Sequence, residues 1–370
     1  MKKNISYKSV LAVLLLIYIG TIVLLNNMAA DKVFSESENR RLEQAPNFSA
    51  SQVIDGRYTT NYEKYISDQF PMRDFWIGVK SRTEKAIGKK ENNGVYLGKD
   101  GYLLEKFEEP SYDIFKSNIN RINRIASECP KKDIYFMLIP NSAEILKDKL
   151  PAYAPNGDQL ETINKTKDAL SSKINFVDVY NTLLSHRDDY IYYKTDHHWT
   201  TKGAYLTYQN LMETMEIVPH EEEYFEKTEV TDSFHGSLYS KSGFRNIDPD
   251  SLTLYKSKVD EGIEVEYVEE GEISDSIYNM ENLNKKDKYT VFFDGNHPLI
   301  KIKTNIEENK KLLIIKDSYA NSFIPFLTGH FSEIYIIDPR YYKEEISDLV
   351  EKNEIDNILI LYNVNTFFEN

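Results

Sequence analysis

Short apolar runs that alternate with helical segments constrain the fold more than any other feature of this sequence. The runs are mostly apolar, which is typical of strands buried on both faces. They are residues 134–139, 174–179, 312–315, 333–337 and 357–361. Segments with helical spacing separate several of them: 112–126, 159–171, 201–215, 320–327 and 342–351. This alternation predicts an α/β fold with a mostly parallel sheet that is covered by helices on both faces.

A different pattern interrupts this alternation between residues 224 and 304. Short runs in which apolar and polar residues alternate, such as 263–268 and 289–293, are typical of antiparallel strands. We therefore expect one α/β domain over residues 49–370, with a small inserted β-rich region at about 224–304.

The N-terminus carries one long apolar segment. Residues 9–30 contain no charged side chain and are long enough to span a bilayer. Three lysines precede the segment: Lys2, Lys3 and Lys8. Because basic residues before a span favour a cytoplasmic N-terminus, residues 1–30 are predicted to be a single membrane anchor, followed by a charged stalk at 31–48 and a domain outside the cytoplasm. A cleaved signal peptide, which would release the domain, is the alternative.

Charge and cysteine content exclude two other classes of protein. The 370 residues include 45 Lys and Arg against 59 Asp and Glu, which gives a net charge of −14. Such an acidic chain has no electrostatic attraction to phosphates, so we exclude nucleic acid as a partner. The single cysteine, Cys129, can form neither an intrachain disulfide nor a cysteine-based zinc site.

Two segments carry reactive side chains where a parallel sheet places its binding sites, beyond the carboxyl ends of the strands. Residues 193–199 contain Asp196 and His198 directly before a predicted helix, and Ser318 follows the apolar run 312–315. Serine is a weak nucleophile without a base, and the base needs an orienting acid. Together the two segments supply all three groups.

The string Thr-Asp-His-His-Trp-Thr at residues 195–200 resembles the signature of the DHHW family. That family is similar to the SGNH-like domains of alginate O-acetyltransferases. Further matching strings are spread along the chain: 37–41, 68–74, 236–243, 295–298 and 316–322. The resemblance implies an SGNH-hydrolase-like fold, which is a three-layer, flavodoxin-like arrangement.

The resemblance also implies a role for each reactive residue. In that superfamily an Asp-x-His pair precedes the serine, so Asp196 corresponds to the orienting acid, His198 to the base and Ser318 to the nucleophile. The implied reaction transfers acetyl through a serine acyl-enzyme to an exported polysaccharide or a cell-wall glycan. A membrane-bound O-acyltransferase would supply the acetyl group. This chemistry requires neither a metal nor a cofactor.

Five further residues are candidates for the oxyanion hole or for substrate contact. Asn296 is the first candidate for an amide donor to the oxyanion, and Asn363 is the second. The other candidates are Tyr319, His197 and Trp199. Trp199 is also a typical core residue.

Three alternatives stay open on sequence alone. With water as the acceptor, the same triad would form a carbohydrate esterase. A non-catalytic surface binding or assembly protein would use Asp196, His198 and Ser318 only for structure, for example with Ser318 as a helix N-cap. A metal could also bind to Asp196, His197, His198 and Asp317, although no established metal-binding spacing supports it.

Overall fold

The structure is a computed structural model that describes residues 7–257 and 262–369. Lys2 and Lys3 lie outside the described residues. The chain divides into two compact units, Met1–Lys89 with Gly243–Arg245, and Lys90–Ser242 with Asn246–Asn370. The domain boundaries expected at residues 30 and 48 remain predictions.

The first unit is mostly helical. Its elements are α1 (Tyr7–Met28), β1 (Phe34–Ser35), β2 (Arg40–Arg41), α2 (Ala50–Ile54), α3 (Arg57–Asp68) and α4 (Arg73–Ala86). Helix α1 has 22 residues, about 33 Å at 1.5 Å per residue. Its span Tyr7–Asn26 has a mean hydropathy of 2.4, so α1 is long and apolar enough to cross a membrane, as signal sequences also are.

The second unit is built around one sheet of eight strands. Its strands are β3 (Glu91–Asn92), β4 (Val95–Leu97), β5 (Leu103–Glu105), β6 (Asp133–Ile139), β7 (Ile174–Phe176), β8 (Glu226–Phe234), β9 (Asp250–Lys256), β10 (Glu264–Tyr267), β11 (Glu272–Ser274), β12 (Leu299–Lys303), β13 (Lys311–Lys316), β14 (Glu333–Ile337) and β15 (Asn357–Asn363). Its helices are α5 (Tyr112–Glu128), α6 (Ser142–Ile145), α7 (Gln159–Ala169), α8 (Tyr180–Ser185), α9 (Thr201–Thr214), α10 (Ser237–Ser242), α11 (Ile346–Lys352) and α12 (Val364–Glu369). The order in the sheet is β11-β10-β12-β14-β13-β15-β6-β7.

The five predicted apolar runs form the parallel part of this large mixed sheet. They are β6, β7, β13, β14 and β15, and every pair of neighbours among them is parallel. Alternate side chains point to opposite faces, so Ile314 packs into one core and Leu313 and Ile315 pack into another. Helices α8 and α9 contribute to the first core, and α5, α7, α11 and α12 to the second.

The region 224–304 is less separate than expected. Among the residues that the structure describes, β8 and β9 pair only with each other, but β10, β11 and β12 extend one edge of the main sheet in antiparallel order. The strand predicted at 289–293 was wrong, because the structure has a 3-10 helix over Lys288–Val291. There the Phe292 N–H donates to the Tyr289 carbonyl, which closes the 3-10 turn, and the antiparallel pairing is reduced to one isolated bridge between Tyr278 and Phe292.

The helix predicted at 320–327 also differs. The segment forms two 3-10 helices, Ser318–Ser322 and Ile324–Leu327. Pro325 has no N–H and cannot continue an α-helix from the preceding turn. The serine therefore lies on a short, tight turn.

Candidate active site

Ser318 stands directly after β13, at the start of its 3-10 helix. Asp317 caps this helix: its Oδ1 accepts the Tyr319 N–H at 2.9 Å, and its Oδ2 accepts the Asn363 N–H at 2.8 Å. Burial raises the pKa of Asp317, and the two N–H groups oppose that shift. One carboxyl group thus ties the serine turn to the end of the neighbouring strand β15.

A second buried carboxylate holds the segment that contains Asp196 and His198. Asp250, at the start of β9, accepts the N–H groups of Lys194 and Thr195 at 2.8 Å each. It also accepts the Thr195 hydroxyl at 2.5 Å. These three bonds fix the backbone immediately before Asp196.

The two segments meet at His198. Its Nε2 lies 2.8 Å from Ser318 Oγ, and its Nδ1 lies 2.5 Å from Asp196 Oδ1. Asp196 Oδ2 accepts the Ser237 N–H at 2.7 Å. Because a carboxylate only accepts, we assign the ring proton to Nδ1, which leaves Nε2 to accept from the serine hydroxyl. The fold thus joins a hydroxyl, an imidazole and a carboxylate from segments 120 residues apart.

Burial and charge set the protonation of this group. Burial raises the pKa of Asp196, but His198, His197 and the hydrogen bonds lower it more, so its pKa lies well below the ordinary value. Burial is also the main cause that lowers the pKa of His198 to about 4; His197 lowers it further and Asp196 opposes. At neutral pH the pair is a carboxylate beside a neutral imidazole, the form that can take a proton from serine.

Tyr289 belongs to the site although the sequence analysis did not single it out. Its ring lies against the His198 imidazole, with centroids 3.8 Å apart and planes at 10°. Its hydroxyl donates to the Ser318 carbonyl at 3.2 Å. No sequence motif marks this residue, and its contact with the site is apparent only from the three-dimensional structure.

Gly236 is the second residue that was missed. A Cβ at this position would lie 2.3 Å from Asp196 Oδ2, so the carboxylate leaves no room for any side chain. The string 236–243 that resembles the family contained a signal, but sequence reasoning assigned no role to its glycine.

A family model for DHHW proteins matches residues 94–337, which is more than half of the chain. The chain belongs to the DHHW family. The matched range contains both reactive segments. No match to this sequence occurs among curated proteins.

Solved structures with the same fold include a DHHW family protein from Eubacterium siraeum, at 23% identity and a TM-score of 0.64, covering 75% of this chain and 93% of that chain. PatB1 from Bacillus cereus, solved with a sulfonyl adduct, is 22% identical with a TM-score of 0.61, covering 74% of this chain and 95% of that chain. A second PatB1 structure from Bacillus cereus is 23% identical with a TM-score of 0.60, covering 72% of this chain and 95% of that chain. These similarities show a shared fold.

The other residues of the DHHW motif have different surroundings. Trp199 is fully buried. Its Nε1 donates to the Tyr319 carbonyl at 3.0 Å and to Ser322 Oγ at 3.1 Å, so it holds the turn that carries the serine. Tyr319 is also buried, and its hydroxyl donates to the His197 carbonyl. The His197 side chain is 29% exposed, with Nδ1 2.5 Å from Ser237 Oγ. Of these three substrate candidates, His197 is the one that reaches the surface.

The two candidate asparagines of this DHHW protein lie in opposite environments. Asn296 is exposed, and its Oδ1 accepts from Lys316 Nζ at 2.7 Å, which leaves Nδ2 as the donor end of its amide. Asn363 is buried: its Nδ2 donates to the Ile139 carbonyl at 3.1 Å, and its Oδ1 accepts the Asn365 N–H at 2.9 Å. The fold therefore engages both ends of the Asn363 amide.

Asp196, His197 and His198 also meet the distance requirement of a cation site, because one ligand atom from each lies within 4.8 Å of the others. Both nitrogens of His198 are already engaged, Nδ1 by Asp196 and Nε2 by Ser318. A cation at this place would have to replace those hydrogen bonds, so the geometry favours acid–base chemistry.

Proposed function

We propose that this protein is an O-acetyltransferase that moves acetyl to an exported polysaccharide or a cell-wall glycan through an acetyl-Ser318 intermediate. One observation carries the proposal: His198 lies within hydrogen-bond distance of both Ser318 Oγ and Asp196 Oδ1. This is the arrangement that activates a serine for acyl transfer. The choice of acetyl and of a glycan rests on the resemblance of the motif to O-acetyltransferases.

In the first half-reaction, His198 Nε2 takes the proton from Ser318 Oγ as that oxygen forms a bond to the acetyl carbonyl carbon. The carbonyl π electrons move to its oxygen, which becomes an oxyanion. When the tetrahedral intermediate collapses, the bond to the donor's leaving group breaks, and that group leaves with the proton from His198. Asp196 holds the imidazole orientation and stabilises its transient positive charge.

In the second half-reaction, an acceptor hydroxyl occupies the place of the leaving group. His198 takes its proton, and the acceptor oxygen attacks the acetyl carbon of acetyl-Ser318. Collapse breaks the bond to Ser318 Oγ, which regains the proton from His198. The product is an O-acetylated acceptor and the free enzyme.

The Ser318 N–H is our primary donor for the oxyanion. It has no acceptor within the described part of the chain, whereas the Tyr319 N–H is held by Asp317. An oxyanion hole needs donors that are already oriented and not otherwise satisfied. Asn296 Nδ2 is our candidate for a second donor.

We further propose that α1 is retained as a membrane anchor and that the second unit works outside the cytoplasm. A membrane-bound O-acyltransferase would then supply acetyl at the outer face of the membrane. The exposed length and apolarity of α1 support this location.

The proposal can be tested on the full chain in detergent. A serine-directed fluorophosphonate, or a sulfonyl fluoride of the kind suggested by the adduct on the similar PatB1 structure, should label Ser318. Turnover of a chromogenic acetyl ester should fall by about 10⁴-fold in Ser318→Ala and His198→Ala. Ser185→Ala, an exposed serine on α8, is the matched control and should retain labelling and turnover.

The acceptor decides between transfer and hydrolysis. With the acetyl ester as donor, an added oligosaccharide should become acetylated in the wild type and not in Ser318→Ala. Release of acetate alone, with acceptors from several glycan classes, would support the esterase. A folded wild type without labelling and without turnover would support the non-catalytic binding or assembly protein.

A further inference from the structure

Helix α4 of the first unit turns an apolar stripe toward solvent. The stripe consists of three residues on one helix face, at the spacing i, i+1, i+4, and of the N-cap residue directly before the helix. They are Met72, Phe75, Trp76 and Val79, with exposed fractions of 66, 53, 42 and 37%. The opposite face carries Arg73, Ile77 and Ser81: Arg73 donates to Glu38 at 3.0 Å, Ile77 is half-buried and Ser81 is 5% exposed. The largest apolar side chains of α4 therefore lie on its exposed face, and a contiguous exposed apolar patch of this kind marks a contact surface.

The start of α4 is fastened next to the end of the apolar helix α1. Lys32 N–H donates to Gln69 Oε1, and Gln69 Nε2 donates to the Lys32 carbonyl, both at 2.9 Å. The Tyr65 hydroxyl donates to Asp31 at 3.0 Å. Lys32 follows Met28, the last residue of α1, by four residues, so the backbone that the Gln69 side chain holds lies at most about 14 Å from the end of α1.

A shared cleft gives the same placement. Ala29 and Ala30, directly after α1, line a cavity of about 370 Å³ together with Phe70, Met72 and Phe75. The first apolar residues of α4 therefore lie beside the point where α1 ends.

We propose that α4 lies in the surface of the bilayer that α1 spans, with its apolar stripe inserted among the lipids. The inference rests on the proposed membrane anchoring, and it adds a second contact with the membrane. Trp and Phe are typical residues of the membrane–water interface, and a helix with one apolar face binds there parallel to the surface. Two exposed cations border the stripe and would meet lipid phosphates: Lys80 and Arg82. The alternative is that a second copy of the chain, instead of lipid, covers the apolar stripe.

Tryptophan emission gives a direct test, because the chain contains two tryptophans. Trp76 is on the stripe, and Trp199 is fully buried in the second unit and serves as an internal reference. The full chain would be reconstituted into phosphatidylcholine–phosphatidylglycerol vesicles whose acyl chains are brominated near the headgroup. Relative to unbrominated vesicles, the wild type should lose the Trp76 emission. Trp76→Phe, which retains only Trp199, should lose none.

Two further variants separate the inference from the anchoring on which it rests. Leu16→Trp in the Trp76→Phe background reports on the middle of α1, and it should be quenched by bromine deep in the bilayer if α1 spans. Phe75→Ser with Val79→Ser should reduce the quenching of Trp76, since it removes apolar contact on both sides of the reporter.

The outcomes are distinct. Quenching in the Leu16→Trp variant without quenching of Trp76 in the wild type would overturn the surface contact and leave the anchor intact. If neither reporter is quenched, both the anchoring and the surface contact fail. A Trp76 that lipid bromine does not quench and that is protected from aqueous acrylamide would indicate a cover by a second copy, and would also overturn the proposal.

Discussion

The Tyr289 ring lies parallel to the His198 imidazole, with centroids 3.8 Å apart and an angle of 10° between the planes. The same side chain donates its hydroxyl to the Ser318 carbonyl at 3.2 Å and to Ser322 Oγ at 3.1 Å. One tyrosine therefore contacts the proposed base through its ring and the turn of the proposed nucleophile through its hydroxyl. This relationship makes Tyr289 a positioning residue whose two contacts can be separated by mutation.

Tyr289→Phe retains the ring and removes the hydroxyl, whereas Tyr289→Leu removes the flat aromatic surface. We expect Leu to slow turnover of an acetyl ester by roughly 10²-fold, because the imidazole then loses the ring that fixes its plane. Phe should slow turnover less, because it loses only the hydrogen bonds to the serine turn. Only Leu should raise the pKa of His198, since burial is the main cause that lowers it. The pKa can be followed by NMR of labelled histidine, independently of activity. Equal pH profiles for Phe and Leu would contradict the assignment of the ring contact.

The pH dependence of serine labelling should differ from that of an ordinary histidine. His198 must be neutral to accept a proton, so labelling is fast above its pKa and is lost as the pH falls through it. Because burial lowers this pKa to about 4, the midpoint should lie well below 6.5. His197→Gln, which removes one of the causes that lower the pKa of His198, should move the midpoint upward. A wild-type midpoint at or above 6.5 would contradict the buried, neutral base.

The three residues of the proposed catalytic group could be singled out from the sequence because residue type and order along the chain define them. Ser318 follows a buried strand, and a serine in that place is exposed on a turn. Asp196 and His198 occur as a pair at a second loop, and the structure brings His198 Nε2 within 2.8 Å of Ser318 Oγ. The five parallel strands were predictable from residue type as well, because strands buried on both faces are mostly apolar.

What could not be predicted depends on contacts that are distant in sequence. Tyr289 lies in a segment whose alternation resembled a strand, yet local backbone bonds and packing against His198 make it a 3-10 helix. Asn363 was a reasonable amide donor at a strand end, but its amide is engaged by the Ile139 carbonyl and the Asn365 N–H. In both cases the conformation or hydrogen bonding of the residue depends on the group that it contacts in the fold, and the local sequence pattern does not reveal that group.

Gly236→Ala should disable the site without touching a reactive residue. The new Cβ would lie 2.2 Å from Asp196 Cβ and 2.3 Å from its Oδ2, so the carboxylate must move away from His198. We expect labelling of Ser318 to slow by about 10³-fold or more, because the base His198 then lacks its orienting acid. Overpacking should also lower the free energy of unfolding by about 1–3 kcal/mol in urea denaturation. Gly78→Ala is the control, because nothing lies within 4 Å of its Cβ position and the helix should gain up to about 1 kcal/mol. Unchanged labelling in Gly236→Ala would show that the Asp196 carboxylate tolerates displacement.

Lys316→Met should change both the stability and the site. Lys316 is 1% exposed, and its Nζ donates to the side-chain oxygens of Asn296 and Asn321 at 2.7 Å each. Burial lowers the pKa of Lys316 from 10.5 to about 8. Between those two pH values the unfolded chain binds a proton that the folded chain does not, so raising the pH from 8 to 10.5 should stabilise the wild type, by about 3 kcal/mol at most. Urea denaturation across this range should show that rise in the wild type and in the surface control Lys352→Met, and not in Lys316→Met.

At pH 7 the Lys316→Met variant leaves the buried Asn321 oxygen without its donor, which should lower the stability. It also releases the amide of Asn296, so ester turnover should fall as well. A pH dependence in Lys316→Met identical to that of the wild type would assign the effect to another group.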